Sequence, residues 1–258
     1  MKVAILCGGL GTRLSEETVV KPKPMVEIGG HPILWHVMKI YASYGFKDFL
    51  LALGYKGLVI KEFFINYHLQ TSNVAISLSD NQVTFDNSRC EDWNVHMVDT
   101  GEKSMTGGRV RRLKPLLDPQ EAFMLTYGDG VADIDLGKLL KFHKSHGKLA
   151  TVTAVRPTAR FGTMSFDGGK VTEFKEKAQT DTGWINGGFF VFEPRVMDYF
   201  SGDSSVLEEE PLENMARDGE LMVYKHEGFW QCMDTLRDRN SLDNLCRNNA
   251  APWITWEG

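Results

Sequence analysis

The chain has 258 residues, of which 42% are hydrophobic and 24% charged, proportions that are ordinary for a globular protein with one large α/β domain or two smaller ones. Its formal net charge of −5 argues against a protein that binds nucleic acid through a general basic field. The four cysteines lack Cys-x-x-Cys and zinc-type spacing, and no apolar run reaches about eighteen residues, so we expect free thiols, no disulfides, no membrane span and a cytoplasmic location.

The first 25 residues carry the strongest local pattern. Residues 3–7 are a continuous apolar run, which predicts a strand buried on both faces at the centre of a sheet. Lys23 follows between Pro22 and Pro24, on a segment with little conformational freedom. The loop between them combines positions for a sharp turn with a hydroxyl and a fixed charge: Gly8, Gly9, Gly11, Thr12 and Arg13. We interpret this connection as a phosphate cradle, although glycines also follow the first strand of α/β proteins that bind no phosphate.

The next segments alternate between helical and strand patterns. The predicted elements are a helix that begins at Ile33 and is stopped by Gly45, a strand over residues 49–53, a helix over 58–69 and a strand over 74–78. This alternation predicts a parallel sheet with right-handed crossovers. Ligands of such sheets bind beyond the carboxyl ends of the strands, where the glycine loop would lie.

Residues 80–103 are polar and irregular, and we interpret them as an insertion or hairpin near the site, with a possible strand at 94–98. A second glycine turn follows at residues 104–109, with a basic helix predicted over 110–117. Amides at the start of that helix, together with Arg109, would suit a base or a phosphate. An ordinary helix start is the alternative interpretation.

A further apolar strand is predicted over residues 122–126, and it ends in Tyr127-Gly128-Asp129-Gly130. Mg²⁺ prefers one or two carboxylates together with substrate oxygens, so Asp129 is placed to hold this ion against a phosphate. A simple Asp-Gly turn or a helix cap explains the same pattern. The two interpretations remain open at this point.

The second half of the chain begins with a helix predicted over 135–146, capped by Asp135, and a strand over 150–155. After these elements the alternation of helix and strand stops. Antiparallel strands are predicted at residues 161–166, 171–174 and 184–192, with a turn at 168–169. Here lie a carboxylate, an ammonium and an amide that would suit sugar hydroxyls: Glu176, Lys177 and Asn186. For Glu176 and Lys177, solvated surface charge is the competing interpretation.

The last part contains an acidic helix predicted over 207–216 and a strand over 221–225. Asp234 follows a short aromatic segment, either as the cap of a last helix that ends at Cys246 or as a second metal carboxylate. No internal repeat or long linker is visible, so we expect one domain over residues 1–258.

Taken together, the motifs resemble the signature of the sugar-phosphate nucleotidylyltransferases, and the likeness spans almost the whole chain. The residues that carry it are Gly8-Gly9-Leu10-Gly11-Thr12-Arg13-Leu14, Lys21-Pro22-Lys23-Pro24-Met25, Gly128-Asp129, Glu176-Lys177 and Asp234. Within that family, residues 105–109 and the long segment before them are most similar to the cytidylyltransferases that act on glucose 1-phosphate. Thymidylyl- and uridylyltransferases usually carry a Gly-Thr-Ala type of turn there.

The resemblance implies a Rossmann-like, three-layer α/β/α fold with a mixed, mainly parallel sheet and a smaller antiparallel sugar-side region. Residues 1–130 would mainly bind the nucleotide, and 131–258 would mainly bind the sugar and form the C-terminal part. It also implies an Mg²⁺-dependent reaction of CTP with glucose 1-phosphate that gives CDP-glucose and pyrophosphate for deoxysugar or O-antigen-type polysaccharides. We expect no nucleic-acid partner and a homo-oligomer. A uridylyl- or thymidylyltransferase acting on a hexose 1-phosphate, or a non-catalytic nucleotide-sugar binding module, are the alternatives.

The resemblance also assigns roles to individual residues. It places Arg13 at the departing pyrophosphate and Lys23 at the α-phosphate, where charge builds between the reactants, and gives Asp129 and Asp234 the metal. The nucleotide would be bound by Leu6, Cys7, Gly8, Gly9, Leu10, Gly11, Thr12, Ser104, Thr106, Arg109 and Gly128. The glucosyl phosphate would face Gly162, Glu176, Lys177 and Asn186.

Overall fold

The computed structural model describes residues 1–9, 11, 14–87, 90–157, 163–167, 170–175 and 183–256. Fifteen strands lie in this part of the chain: β1 (Val3–Leu6), β2 (Glu27–Ile28), β3 (His31–Pro32), β4 (Asp48–Leu53), β5 (Asn73–Ser77), β6 (Gln82–Asp86), β7 (Asn94–Asp99), β8 (Phe123–Tyr127), β9 (Gly130–Ala132), β10 (Ala150–Val155), β11 (Thr163–Asp167), β12 (Lys170–Lys175), β13 (Ile185–Phe192), β14 (Leu221–Lys225) and β15 (Trp230–Cys232).

The same part of the chain contains eight α-helices: α1 (Ser15–Thr18), α2 (Ile33–Ser43), α3 (Gly57–Ile65), α4 (Tyr67–Thr71), α5 (Thr106–Leu113), α6 (Leu136–His146), α7 (Glu210–Arg217) and α8 (Leu236–Arg247). Short 3₁₀ helices lie at Lys23–Met25, Lys114–Leu116 and Pro194–Tyr199. None of the helices within these described ranges combines the length and the hydropathy needed to cross a membrane.

The centre of the fold is a seven-stranded sheet with the order β14-β10-β13-β8-β1-β4-β7. Strand β1 lies between β4 and β8 and is parallel to both. Only β13 runs against its two neighbours, while β10 and β14 are again parallel to each other. The sheet is therefore mixed and mainly parallel, which confirms the fold class that the sequence predicts.

Helices cover both faces of this sheet because successive side chains of β1 point to opposite sides. Val3 and Ile5 belong to one buried apolar cluster, which includes residues of α2, α6 and α8. Ala4 and Leu6 belong to the other, with Val110 of α5 and with residues of α7. Three layers result, as predicted. All four residues of β1 are buried, so the strand is central as well as continuous.

One strand prediction is wrong, and the possible strand at 94–98 is confirmed. The residues predicted as a third parallel strand, 74–78, form β5, which pairs with β6 in an exposed antiparallel hairpin. The third strand on this side of β1 is β7, which pairs in parallel with β4 from within the segment interpreted as an insertion. An edge strand is covered less completely than a central one, and β7 accordingly mixes polar with apolar residues.

Smaller differences concern element boundaries. The predicted helix over 58–69 is divided at Asn66 into α3 and α4. The helix predicted over 110–117 begins earlier, at Thr106, and its α-helical part ends at Leu113. Strand β13 is antiparallel, as predicted, but it lies inside the central sheet, with an irregular register against β10. Of the predicted sugar-side hairpin the structure describes β11 and β12, and the turn at 168–169 lies outside the described residues.

Candidate active site

A cleft of about 820 Å³ opens at the carboxyl ends of β1 and β8. Twelve of the residues proposed from the sequence line it: Leu6, Cys7, Gly8, Gly9, Gly11, Lys23, Ser104, Thr106, Arg109, Gly128, Asp129 and Asp234. These residues come from distant parts of the chain, and the strand ends bring them together. The cleft is also lined by five residues that were not predicted: Pro24, Glu102, Lys103, Met105 and Tyr127.

Lys23 lies between the two aspartates that the sequence proposes as metal ligands. Its Nζ atom is 2.5 Å from Oδ2 of Asp129 and 2.6 Å from Oδ1 of Asp234. Burial lowers the pKa of Lys23, but the two carboxylates raise it, and the net shift is upward from the ordinary value. The ammonium is therefore charged at neutral pH and is held in the cleft by two anions.

The backbone fixes the two carboxylates at this distance from each other. Strands β9 and β15 pair antiparallel, with Cys232 opposite Gly130. The amide of Met233 donates to the carbonyl of Asp129 at 2.9 Å. Because this short ladder joins the two loops, each aspartate stands beside the other although they are 105 positions apart in the sequence.

The donor set fits a hard divalent cation that also binds substrate. No group of three or more His, Cys, Asp or Glu side chains suited to a metal occurs among the described residues. A pair of carboxylates without further protein ligands is what Mg²⁺ accepts when phosphate oxygens and water complete its octahedron. Asp129 and Asp234 are therefore the residues in this cleft that suit the ion, with Lys23 between them.

Asp234 is not the cap of the last helix. Thr235 occupies the N-cap position of α8 and forms a capping box with Asp238. The backbone amide of Asp234 donates to the Asp238 carboxylate at 3.1 Å. The carboxylate of Asp234 itself points the other way and contacts Lys23, so of the two interpretations left open by the sequence the helix cap is ruled out.

Arg109 is buried beneath the cleft, with 4% of its surface exposed. Its guanidinium donates five hydrogen bonds, to the carbonyl oxygens of Gly8, Leu53, Gly101 and Glu102 and to the hydroxyl of Thr100. A Cβ atom at Gly8 or Gly54 would overlap this guanidinium. Glycine is required at both positions for this reason, and Arg109 connects the first glycine loop to the segment 100–102.

Cys7 lies at the end of β1 and is fully buried. Burial and the nearby carboxylate of Asp129 raise the pKa of its thiol, so the group stays protonated. A nucleophilic role for this cysteine does not fit such an environment. The four cysteines are free, as predicted.

The second glycine turn packs against the segment that precedes α7. The amide of Met105 donates to the carbonyl of Asp203 at 2.8 Å, and that of Gly108 to the carbonyl of Ser205 at 3.1 Å. Close approach of Asp203 to Gly108 leaves no room there for a side chain. The start of α5 is thus held by neighbouring backbone as well as by Arg109.

Glu208 contacts this turn and was not predicted. Its carboxylate accepts hydrogen bonds from the hydroxyls of Thr106 and Tyr127. The partners are 102 and 81 positions away in the sequence, and no local pattern marks an exposed glutamate as their neighbour. Tyr127 had a weak signal, because it ends a central strand immediately before Gly128 and Asp129.

Asn186 also contacts Tyr127. Its side-chain amide lies 3.4 Å from the Tyr127 hydroxyl at the edge of the cleft. Six of the residues proposed from the sequence lie outside the described residues: Leu10, Thr12, Arg13, Gly162, Glu176 and Lys177. Their assigned roles stay predictions.

Comparison with known proteins identifies the family. Residues 2–235 match the model of the family described as nucleotidyl transferase. The chain is 54% identical over 257 residues to the glucose-1-phosphate cytidylyltransferases of Salmonella typhi and of Salmonella typhimurium, and in both cases the match covers 100% of each chain. The crystal structure of HddC from Yersinia pseudotuberculosis superposes with a TM-score of 0.69 at 22% identity, covering 96% of this chain and 99% of that one, which supports the fold alone. The chain belongs to the nucleotidyl transferase family.

Proposed function

We propose that the protein transfers the cytidylyl group of CTP to α-D-glucose 1-phosphate, giving CDP-glucose and pyrophosphate. The observation that carries this proposal is the full-length identity of 54% to two glucose-1-phosphate cytidylyltransferases. The cleft suits it because a partly buried ammonium lies between two carboxylates, beside a glycine loop at the carboxyl end of the central strand. A protein that only bound a nucleotide sugar would not need this arrangement.

The chemistry requires no nucleophile from the protein. A phosphate oxygen of glucose 1-phosphate attacks the α-phosphorus of CTP in line, the bond to the β-phosphate oxygen breaks, and pyrophosphate carries away the electron pair. The attacking oxygen is already anionic at neutral pH, so no general base is needed either. Catalysis then consists of alignment and of stabilising negative charge.

Lys23 is the residue suited to the charge that develops at the α-phosphorus. Its ammonium is protonated and held in the cleft, and the rigid segment between Pro22 and Pro24 limits its motion. Arriving phosphate oxygens offer the ammonium new anionic partners. Asp129 and Asp234 would then hold Mg²⁺, which neutralises charge on the triphosphate and on the leaving pyrophosphate when it is bound.

The remaining roles follow the family resemblance. Arg13 would stabilise the departing pyrophosphate. The nucleotide would lie along Gly8, Gly9, Gly11 and the turn that contains Ser104 and Thr106, and Asn186 would face the sugar. Arg109 would act on the nucleotide through the two loops that its guanidinium joins.

The cellular setting is an expectation of the same proposal. We expect a cytoplasmic homo-oligomer that supplies CDP-glucose for deoxysugars of O-antigen-type polysaccharides. The division of the chain into a mainly nucleotide-binding part, 1–130, and a mainly sugar-binding part, 131–258, also stays a prediction.

Pyrophosphate release tests the proposal directly. The protein is mixed with Mg²⁺, glucose 1-phosphate and either CTP, UTP or dTTP, and pyrophosphate and nucleotide sugar are quantified. We expect turnover with CTP to exceed turnover with the other two nucleotides by at least about a hundredfold, because a site with hydrogen-bonding groups for one base leaves them unpaired with another. Equal turnover with UTP or dTTP would contradict the assignment to CTP, and absence of pyrophosphate with all three would contradict catalysis.

A further inference from the structure

A chain of hydrogen bonds runs along one wall of the cleft and ends on Glu208. The amide of Leu207 donates to the hydroxyl of Thr106 at 2.8 Å, and that hydroxyl donates to Oε2 of Glu208 at 2.6 Å. From the other side, the side-chain amide of Asn186 donates to the hydroxyl of Tyr127, which donates to Oε1 of Glu208. Both hydroxyls therefore give their one proton to the same carboxylate.

The direction of these bonds is fixed at each end. The backbone amide of Gly188 donates to Oδ1 of Asn186 at 2.8 Å, so the NH₂ group of this side chain is the part that faces Tyr127. In the pair of Tyr127 and Glu208 the phenol has a hydrogen to donate and the carboxylate has lone pairs to accept it, so Tyr127 is the donor. A carboxylate, which only accepts, is the one side chain of this size that satisfies both hydroxyls at once.

The two hydroxyls differ in how far they depend on Glu208. The turn at Thr106 is also held by the carbonyls of Asp203 and Ser205. The Tyr127 hydroxyl, in contrast, has only Glu208 and Asn186 as hydrogen-bond partners within the described ranges. Loss of the Glu208 carboxylate would therefore release the Tyr127 hydroxyl and leave the turn in place.

The Tyr127 ring lies close to Gly188. The φ of Gly188 is 79°, in the left-handed region, and a Cβ there would lie 2.5 Å from the ring, so glycine is required at this position. Tyr127 immediately precedes Gly128 and Asp129 and lines the cleft. Its hydroxyl and the Asn186 amide thus form a polar edge, in which Glu208 holds the hydroxyl and Gly188 holds the amide.

We propose that Glu208 is a positioning residue for the hexose phosphate, because its carboxylate fixes the Tyr127 hydroxyl beside the Asn186 amide, at the edge of the cleft where the sugar hydroxyls would bind. This inference deepens the proposed function and rests on it. Glu208 itself is exposed at the end of a segment packed on α5, and it acts through Tyr127.

The test is Glu208→Gln, which keeps the shape of the side chain but presents an NH₂ group to one of two hydroxyls that both donate. Steady-state pyrophosphate release is measured with each substrate varied in turn. We expect the KM for glucose 1-phosphate to rise about tenfold, as for loss of a charge-assisted hydrogen bond, while kcat and the KM for CTP stay within about twofold. Tyr127→Phe should give the same pattern.

The double variant Tyr127→Phe with Glu208→Gln should lose no more than either single variant, because both changes remove one interaction. Glu209→Gln is the matched control: it alters the next carboxylate, which is also exposed, and should leave all three parameters unchanged. Melting temperatures show whether each variant is folded, and Tyr127→Phe carries the test alone if Glu208→Gln does not fold.

Three results would overturn the inference: an unchanged KM for glucose 1-phosphate, an equal rise in the KM for CTP, or a double variant whose loss is the product of the single losses. The proposed function fails separately. If the unmodified protein releases no pyrophosphate from CTP and glucose 1-phosphate, the reaction assignment is wrong before any variant is compared.

Discussion

The cleft contains one buried and one partly buried cation, whose surroundings are opposite in kind. Arg109 donates to four backbone carbonyls and one threonine hydroxyl, all of them uncharged. Lys23 contacts two carboxylates, Asp129 and Asp234. Burial lowers the pKa of Arg109, whereas the two anions leave the pKa of Lys23 above its ordinary value.

This difference indicates that Arg109 holds loops of the folded chain together, as a scaffold, whereas Lys23 belongs to the group of residues that would contact the reacting phosphates. The partners of Arg109 are parts of the folded chain, and they are satisfied whether or not a substrate is bound. Lys23, in contrast, holds together two anions that would otherwise repel each other, and each of these groups suits a charged ligand. The contribution of Arg109 should therefore be measured as stability, and that of Lys23 as turnover.

The largest effect that would test this division is expected for Lys23→Ala. Removing the ammonium takes away the positive charge at the reacting phosphorus, so kcat should fall about a thousandfold while the KM for CTP changes little. Pyrophosphate release measures both quantities. Lys21→Ala is the matched control, since Lys21 lies on the same loop and pairs with Glu27, and its kcat should stay within about threefold. Near-normal turnover of Lys23→Ala would remove Lys23 from the reaction.

The second effect should appear in stability. Arg109→Met keeps a long side chain but removes the donors, so the carbonyl oxygens of Gly101 and Glu102 lose the hydrogen bonds that they accept, while those of Leu53 and Gly8 keep backbone donors. We expect the free energy of unfolding to fall by about 3 kcal/mol. Urea denaturation measures it, with Arg111→Met on the exposed face of the same helix as the control, expected within about 0.5 kcal/mol. If Arg109→Met unfolds like the unmodified protein and loses only turnover, Arg109 is not the scaffold.

The role of Lys23 could be predicted from the sequence better than that of Arg109, and the reason is physical. Asp129 ends a predicted central strand, so its place at the edge of the sheet beside the glycine loop follows from topology, whereas the roles of Lys23 and Asp234 next to it came from the family resemblance. The partners of Arg109 are backbone carbonyls from loops at 8, 53 and 101–102, and no residue type marks a carbonyl in advance. Sequence reasoning therefore assigned Arg109 to the nucleotide and missed its contacts with the chain.

The same limit explains the errors in the fold. Strands buried on both faces, such as β1, β4 and β8, are continuous apolar runs and were found from the sequence. The edge strand β7 is half polar and was predicted as a possible strand within an insertion, while the exposed hairpin strand β5 has the apolar residues of a core strand and was predicted to be one. Glu208 was missed for a related reason, because its two contacts arise only when the segment before α7 folds onto α5.

The third effect concerns the carboxylates around Lys23. Asp129→Asn and Asp234→Asn should each raise the Mg²⁺ concentration needed for half-maximal turnover, on the order of 50-fold, because one of two charged ligands becomes neutral. Titration of activity with MgCl₂ measures this. Asp135→Asn serves as the control, because Asp135 caps α6 and asparagine is an equally good cap. An unchanged Mg²⁺ requirement in both variants would place the metal elsewhere.

The smallest effect is the sharpest test of the scaffold. Gly54→Ala adds a Cβ that would overlap the Arg109 guanidinium, whereas Gly9→Ala adds one with nothing within 4 Å. We expect Gly54→Ala to lower the free energy of unfolding by about 1.5 kcal/mol through overpacking and Gly9→Ala to change it little, both measured by urea denaturation. In the Arg109→Met background the guanidinium is gone, so Gly54→Ala should then lose less than half of its effect. Fully additive losses would mean that Gly54 is required for some reason other than the close approach of Arg109.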